Sequence, residues 1–400
     1  MIPTSAIHAA PAHWGPTLKA RALAGPAEPD RAALLEAFRG HSDFYARRIG
    51  GADWSGVPPL EKAEVADIPV DPAIEVQATR TSGTTGYQVT ICNSTREREY
   101  RRALLYRPQL FYALPDQVTQ VVFVDGDWCA SPSDSPKRFE YGGRVYQTWF
   151  CGVAADPGAI WQLLITLRPQ LVRGIASGIV RFIESLSAPL KDVGVQIVGP
   201  GGESLLPEWR ALITDAFRAR VLDRYGSTET GALAWQCPHC DRYHANVDEI
   251  FLEADPDGLL ATPLFVSSQP LLRYRLGDVV QWDTTAADCV VRLPTLSISQ
   301  ARRDDWITDG QGRRLSPLGF QFEALPGLKA WRLHQQADGS LQLFFEAESA
   351  DTLRDALGAA LTAAVPGRPV ELIEGVWKLE RGGKFKRVSS DLPAATNPSP

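Results

Sequence analysis

Apolar positions follow two rhythms along this chain. Short β-branched runs, Val118-Thr-Gln-Val-Val-Phe-Val124 and Val193-Gly-Val-Gln-Ile-Val198, predict buried strands, with shorter ones at 170–172 and 221–225. Between them, helical spacing predicts helices over 158–167, 179–186 and 207–219, the last with Pro207 suited to its first turn. This alternation predicts an α/β domain with a largely parallel sheet. Upstream, residues 1 to about 75 form a helical lead-in, with a helix at 31–38, broken up by Pro58-Pro59. Downstream, 246–300 is richer in short strands, such as 249–253 and 279–282. A small α+β unit follows, with strands at 341–345 and 370–373 around a helix at 350–364. The polar, proline-rich 393–400 reads as disordered. No internal repeat is visible.

Composition narrows the picture only slightly. The chain has 400 residues, 44% hydrophobic and 22% charged, with a formal net charge of −6, so it is globular in type and shows no basic excess for nucleic acid. No run approaches the roughly 18 to 20 apolar residues of a membrane helix, and the first residues lack a basic stretch followed by an apolar one. A soluble cytoplasmic protein, monomer or homodimer, is expected, with no nucleic-acid or membrane partner.

Several stretches carry candidate chemistry. Thr81-Ser-Gly-Thr-Thr-Gly86 pairs glycines, which let backbone approach an anion, with hydroxyls that donate to phosphate; it lacks the Gly-Lys ending of a Walker loop, and a plain flexible loop has the same composition. Tyr225-Gly-Ser-Thr-Glu-Thr-Gly231 follows a predicted strand, where α/β proteins place ligands. Tyr225 offers a flat face for a base, Thr228 a hydroxyl for phosphate and Glu229 a hard oxygen for magnesium; the alternative is an ordinary strand-to-helix turn. In Leu272-Arg-Tyr-Arg-Leu-Gly-Asp278, Asp278 can accept from two ribose hydroxyls or simply cap a turn. Ala301-Arg-Arg-Asp-Asp305 lies at the expected domain boundary, and Arg381-Gly-Gly-Lys-Phe-Lys-Arg387 is either a mobile lysine loop or a solvated basic one.

In order and spacing, these motifs together with Gly201-Gly-Glu203 resemble the acyl-adenylate-forming superfamily, and within it the phenylacetate-CoA ligase and coenzyme F390 synthetase branch. The resemblance runs from about residue 76 to 388. It implies a large adenylation domain over 1–301, a small mobile α+β domain over 302–390 and a disordered tail over 391–400. It implies that Thr81, Ser82, Gly83, Thr84, Thr85 and Gly86 hold the β- and γ-phosphates of ATP. Gly201, Gly202 and Glu203 would line the adenine pocket through their backbone, beside Tyr225 and Gly226. Thr228 would touch the α-phosphate, Glu229 would bind magnesium, and Asp278 would hold the ribose with Arg302 nearby. Asp304 would be the hinge, and Lys384 would bridge the substrate carboxylate and the α-phosphate. Two departures stand out: Tyr87-Gln-Val89 follows the phosphate loop where a lysine is usual, and Ala301 stands where the hinge usually begins with glycine.

Trp235-Gln-Cys-Pro-His-Cys-Asp-Arg-Tyr-His244 contains Cys-x2-Cys-x3-His, which suits zinc. With Cys289, near where the branch often carries another cysteine pair, Cys237, Cys240 and His244 would make a closed structural Cys3His site. A redox pair or unliganded thiols are the alternatives. The acyl pocket is expected at Trp149, Phe150, Ile175, Ala176, Gly199 and Pro200, whose aromatic and small apolar side chains suit an aryl acid. None of these six is basic, so the set reads no second acidic group. The expected reaction is ATP-dependent formation of an acyl-AMP, then transfer to the thiol of CoA or of a carrier-protein phosphopantetheine, in degradation or secondary metabolism. Transfer to an amine, hydroxyl or protein side chain, and a non-catalytic nucleotide- or acyl-binding role, are the competing readings.

Overall fold

The computed structural model describes residues 13–80, 89–186, 190, 192–255, 258–265, 268–285, 288–302, 307–315, 320, 322, 325–347, 349–375 and 388–392. The chain forms two compact units, one of residues 1–255, 259–276 and 281–297, the other of 256–258, 277–280 and 298–400.

The first unit opens with helices α1 (Trp14–Ala24), α2 (Arg31–His41) and α3 (Asp43–Ile49). The Asp30 carboxylate caps α2 by accepting from the Ala33 amide, and Leu35 and Phe38, three apart, bury the same face. An antiparallel ribbon of β1 (Val76–Arg80) and β2 (Thr90–Ser94) leads into α4 (Thr95–Tyr106), which starts at a reciprocal Ser94–Glu97 cap.

The sheet that organises this unit is built next. Its strands are β3 (Gln117–Val124), β4 (Lys137–Tyr141), β5 (Arg144–Gly152), β6 (Leu171–Ile175) and β7 (Ile197–Gly201), then β8 (Arg220–Val221), β9 (Arg224–Ser227), β10 (Gly231–Gln236) and β11 (Tyr243–Ala245). Helices α5 (Pro157–Leu167), α6 (Ala176–Glu184) and α7 (Pro207–Phe217) connect the parallel strands. Strands β12 (Ile250–Asp255), β13 (Gly258–Pro263) and β14 (Tyr274–Arg275) make a separate three-stranded sheet. With β15 (Asp278–Trp282) and β16 (Thr295–Arg302), the main sheet has eleven strands in the order β15-β16-β11-β10-β9-β7-β6-β3-β5-β4, with β8 beside β7. Pairs β5–β3, β3–β6, β6–β7 and β7–β9 are parallel; β4 and the β9–β10–β11–β16 run are antiparallel.

The α/β texture read from the sequence is therefore present, with two local differences. The strand expected from 193 begins at Ile197, because Gly194 turns the chain at φ +87°. The strand expected over 221–225 is split into β8 and β9 around Leu222-Asp223.

The second unit contains β17 (Ile307–Thr308) and β18 (Arg314–Leu315), then β19 (Leu328–Gln335), β20 (Leu341–Ala347), α8 (Ala350–Ala364), β21 (Val370–Glu374) and β22 (Val388–Ser390). Its four-stranded sheet runs β21-β20-β19-β22. Leu353, Leu357 and Leu361, at spacing four on α8, pack with Trp331, Leu333, Leu343 and Phe345 into one core.

Arg107, on the turn after α4, ties the first unit together. It is fully buried, and its Nη1 and Nη2 donate to both oxygens of Asp248 at 2.8 and 2.6 Å, to Asn246 Oδ1 at 3.0 Å and to the Leu18 carbonyl at 2.8 Å. Removing one partner of a buried pair strands the other charge. Asp248→Asn is expected to lower stability by about 3–5 kcal/mol, read as a lower urea midpoint with an unchanged denaturant slope.

Candidate active site and metal cluster

The parallel strands β6, β7 and β9 end at one edge of the sheet, where an α/β protein presents its ligand loops. Three sequence motifs meet there. Gly201 ends β7 and Gly202 follows at φ +83°. Glu203 accepts from the Ser177 amide at 2.8 Å and the Ser177 hydroxyl at 3.0 Å, so its carboxylate caps the start of α6. That leaves the backbone of Gly201 and Gly202, and not the Glu203 side chain, to face a ligand.

Tyr225–Gly231 is a hairpin between β9 and β10, not the strand-to-helix turn that was the alternative reading. Gly226 is required there, because a Cβ would lie 2.5 Å from the Gly231 carbonyl oxygen on the facing strand. Ser227 Oγ accepts from the Thr230 amide at 3.0 Å and closes the turn. Thr228 is exposed at the tip, whereas Glu229 is buried and accepts from the Tyr274 hydroxyl at 3.3 Å. Tyr274 belongs to the motif that ends at Asp278, so two motifs far apart in sequence touch through this bond.

Arg101 on α4 holds the same turn from behind, donating to the carbonyls of Glu229 at 2.8 Å and Thr228 at 3.3 Å. Burial depresses its pKa to about 10, against the favourable field of Glu97 and Glu229. Sequence reasoning missed Arg101. It lies 127 residues from Thr228 with no motif around it, so no local signal marked it.

Asp278 begins β15 directly after Gly277, which turns at φ +77°. Arg302 ends β16. Thr81, Ser82, Gly83, Thr84, Thr85, Gly86, Asp304 and Lys384 lie outside the described residues, as does 393–400.

The expected acyl-pocket residues divide between two faces. Register places Phe150, Val122, Arg173 and Gly199 in one row across β5, β3, β6 and β7. Side chains alternate along a strand, so Ile175 joins that face, while Trp149 and Pro200 point to the other. Trp149 is buried there and donates to the Asp134 carbonyl at 3.1 Å. Ala176 is buried at the first position of α6. A pocket on the Phe150 face therefore excludes Trp149 and Pro200.

Cys237, Cys240, His244 and Cys289 form a compact cluster. Every pair of their donor atoms lies within 4.8 Å, with Cys237 Sγ 3.6 Å from Cys289 Sγ and Cys240 Sγ 3.4 Å from His244 Nε2. The β10–β11 turn presents the first three: the Asp241 amide donates to the Cys237 carbonyl at 2.9 Å, and Asp241 takes φ +57°. A tetrahedron with zinc–sulfur bonds of about 2.3 Å and zinc–nitrogen bonds of about 2.0 Å has edges near 3.8 and 3.5 Å. The observed separations are close to both and far from a disulfide bond of about 2.05 Å. His244 Nδ1 lies 2.6 Å from the Leu293 carbonyl, which fixes the ring with Nε2 toward the thiols. His239, inside the Cys-x2-Cys turn, is exposed and points to no ligand role. Burial pushes the Cys237 and Cys240 thiols up.

Sequence comparison matches no protein-family model and no curated protein. Structure comparison finds similar folds. A 2-hydroxyisobutyryl-CoA ligase in its postadenylation state, bound to R3-HIB-AMP, superposes with a TM-score of 0.67 at 17% identity, over 98% of this chain and 94% of that one. The anthranilate CoA ligase AuaEII with anthranoyl-AMP gives 0.54 at 14%, over 78% and 65%. ATP-bound MatB from Rhodopseudomonas palustris gives 0.51 at 15%, over 77% and 66%. The chain has the fold of the acyl-adenylate-forming ligases.

Asp223, immediately before the Tyr225 motif, carries a titration signature. It is buried, accepting from the Arg224 amide at 2.7 Å and the Tyr243 hydroxyl at 2.7 Å, and burial raises its carboxyl to about 6. A raised carboxyl binds its proton more tightly folded than unfolded, so the stability it contributes is present at low pH and lost as pH rises toward 6. The stability of the native chain minus that of Asp223→Asn should fall by about 2–3 kcal/mol between pH 4 and pH 7, read from urea curves at each pH.

Proposed function

We propose that this protein is an AMP-forming acid–thiol ligase, activating a carboxylic acid with ATP and passing the acyl group to the thiol of CoA. The observation that carries the reading is the meeting of the Gly201–Glu203, Tyr225–Glu229 and Tyr274 motifs at one sheet edge, in a fold that covers 94% of a CoA ligase. A carrier-protein phosphopantetheine is the alternative thiol. The acid is aromatic in this reading, since the face that carries Phe150 also packs Tyr106, Phe139 and Tyr146 against one another.

In this mechanism the backbone at Gly201 and Gly202 receives the adenine, with Tyr225 beside it. The exposed Thr228 hydroxyl donates to the α-phosphate. The Thr81–Gly86 loop holds the outer phosphates, and Asp278 the ribose. Lys384 lies between two anions that repel each other as the carboxylate attacks, so its charge counts most in the transition state. Arg302 supports the ribose end, and Asp304 is the hinge about which Lys384 is withdrawn before thiol attack. Glu229, buried and oriented by Tyr274, would hold magnesium, which would supply positive charge to the pyrophosphate leaving group. Cys237, Cys240, His244 and Cys289 would hold a structural zinc ion, which would fix the β10–β11 turn, one strand from the Tyr225 motif.

Two measurements test this. ATP–pyrophosphate exchange with magnesium across a panel of aromatic and aliphatic acids should appear with a subset of acids, and Lys384→Ala should lower it on the order of 10²- to 10³-fold. Exchange with no acid from folded protein would remove the ligase reading. Metal analysis should find zinc at one per chain, with Cys289→Ser binding it more weakly and melting at a lower temperature; metal-free protein with unchanged melting would remove the zinc site.

A further inference from the structure

Two neighbouring arginines, Arg173 and Arg224, have no carboxylate at ion-pair distance among the described residues, although the field of Asp223 reaches Arg224. Arg173 is 5% exposed, in the row with Phe150 and Gly199. Its Nε donates to Gln120 Oε1 at 3.0 Å, and Gln120 in turn donates to Thr148 Oγ1 at 2.6 Å. Its guanidinium lies 4.3 Å from the Tyr106 ring centre and donates to that hydroxyl. Every one of these partners is neutral. Arg224, directly before Tyr225, donates through Nη2 to the Gly199 carbonyl at 2.9 Å, and its Nε is buried without a partner. Asp223 is adjacent, but its oxygens are taken by the Arg224 amide and the Tyr243 hydroxyl. Among the described residues neither guanidinium makes an ion pair.

The contrast with Arg107 is informative. That buried arginine has both oxygens of Asp248 in front of it. Arg173 is buried and Arg224 half-buried; a cation withdrawn from water without such a partner is destabilising, and a second cation beside it adds repulsion. Burial, then the field of Arg173, holds the Arg224 pKa down at about 10, and burial pushes the Tyr112 hydroxyl up to about 12 against the opposing fields of Arg224 and Arg173. Gly199 does not lie in the left-handed region, and a Cβ on it would meet Arg173 Cβ at 3.5 Å and Arg224 Nη2 at 3.6 Å, ordinary contact distances. Neither backbone nor packing demands glycine there, and Gly199 is the point at which the two arginine side chains come together.

We infer that Arg173 and Arg224 bind a second carboxylate of the substrate, which makes the preferred substrate a dicarboxylic acid. Arg173 stands two residues below the end of β6, about 7 Å in from the edge where the adenylate forms. One carboxylate reacts at that edge while the other is held by the arginines, a separation that an aromatic ring spans. The inference rests on the ligase reading for where the reacting carboxylate lies.

The test uses matched pairs: terephthalate and 4-carboxyphenylacetate, each against the compound with its distal carboxylate replaced by carboxamide, and adipate against its monoamide. Calorimetric binding without ATP reads the anion site; ATP–pyrophosphate exchange reads the chemistry. In at least one pair the dicarboxylate should bind on the order of 10- to 100-fold more tightly than the amide. Arg224→Gln should reduce that preference to below about threefold, and Arg224→Lys should keep part of it. Arg173→Gln, checked for folding by its melting curve, should act like Arg224→Gln. Equal binding of acid and amide in every pair, no binding by any compound, or a preference that survives both Gln variants overturns the inference. Exchange that favours the amides overturns it while keeping the ligase reading; a dicarboxylate preference in binding without exchange upholds the anion site and removes the ligase reading.

Discussion

The parallel register of β5, β3, β6 and β7 is the constraint on which the first unit depends. Parallel strands need long crossovers, so helices cover the sheet and every connecting loop on one side leaves from the same edge. That edge gathers Gly202, Ser177 and Thr228. The same register sorts residues by face with no intermediate choice. Phe150 and Trp149 are neighbours in sequence, yet one shares a row with Arg173 and Gly199 and the other packs against the opposite side.

Side-chain bonds then stiffen what the register has placed. Glu203 caps α6 through Ser177, Arg101 grips the turn at Thr228 and Glu229 from α4, and Tyr274 reaches Glu229 from the small sheet. Each bond ties a loop to an element distant in sequence, so the loop geometry is set by the fold and not by local preference. The Cys237–Cys289 cluster does the same for the β10–β11 turn, drawing in a side chain 52 residues away. A short antiparallel turn has little apolar area with which to hold itself, and this one brings together a largely buried set of donors whose chemistry suits a single cation.

Two ways of burying arginine coexist in this unit. Arg107 is neutralised locally by Asp248 and acts as a cross-link. Arg173 and Arg224 are held by neutral groups, a carbonyl, an amide and an aromatic ring, which orient them without cancelling their charge. The first arrangement serves stability, the second keeps electrostatic energy in reserve for a ligand.

The sequence by itself determined what depends on short range. Strand and helix alternation, the α8 leucine spacing, the order of the glycine-rich motifs and the Cys-x2-Cys-x3-His turn are all readable because periodicity, backbone permissiveness and ligand chemistry act over a few residues. Gly194 and the Leu222-Asp223 break show the limit even there, since a left-handed glycine or a strand interruption does not disturb an apolar run enough to be seen. Tertiary structure alone decided which of Trp149 and Phe150 shares a row with Arg173, that Arg101 and Tyr274 support the Tyr225 turn, and that among the described residues neither Arg173 nor Arg224 makes an ion pair. In each case the deciding fact is a distance or an absence between residues far apart in the chain. Such facts arise from how strands pair and sheets fold, and no local pattern encodes them.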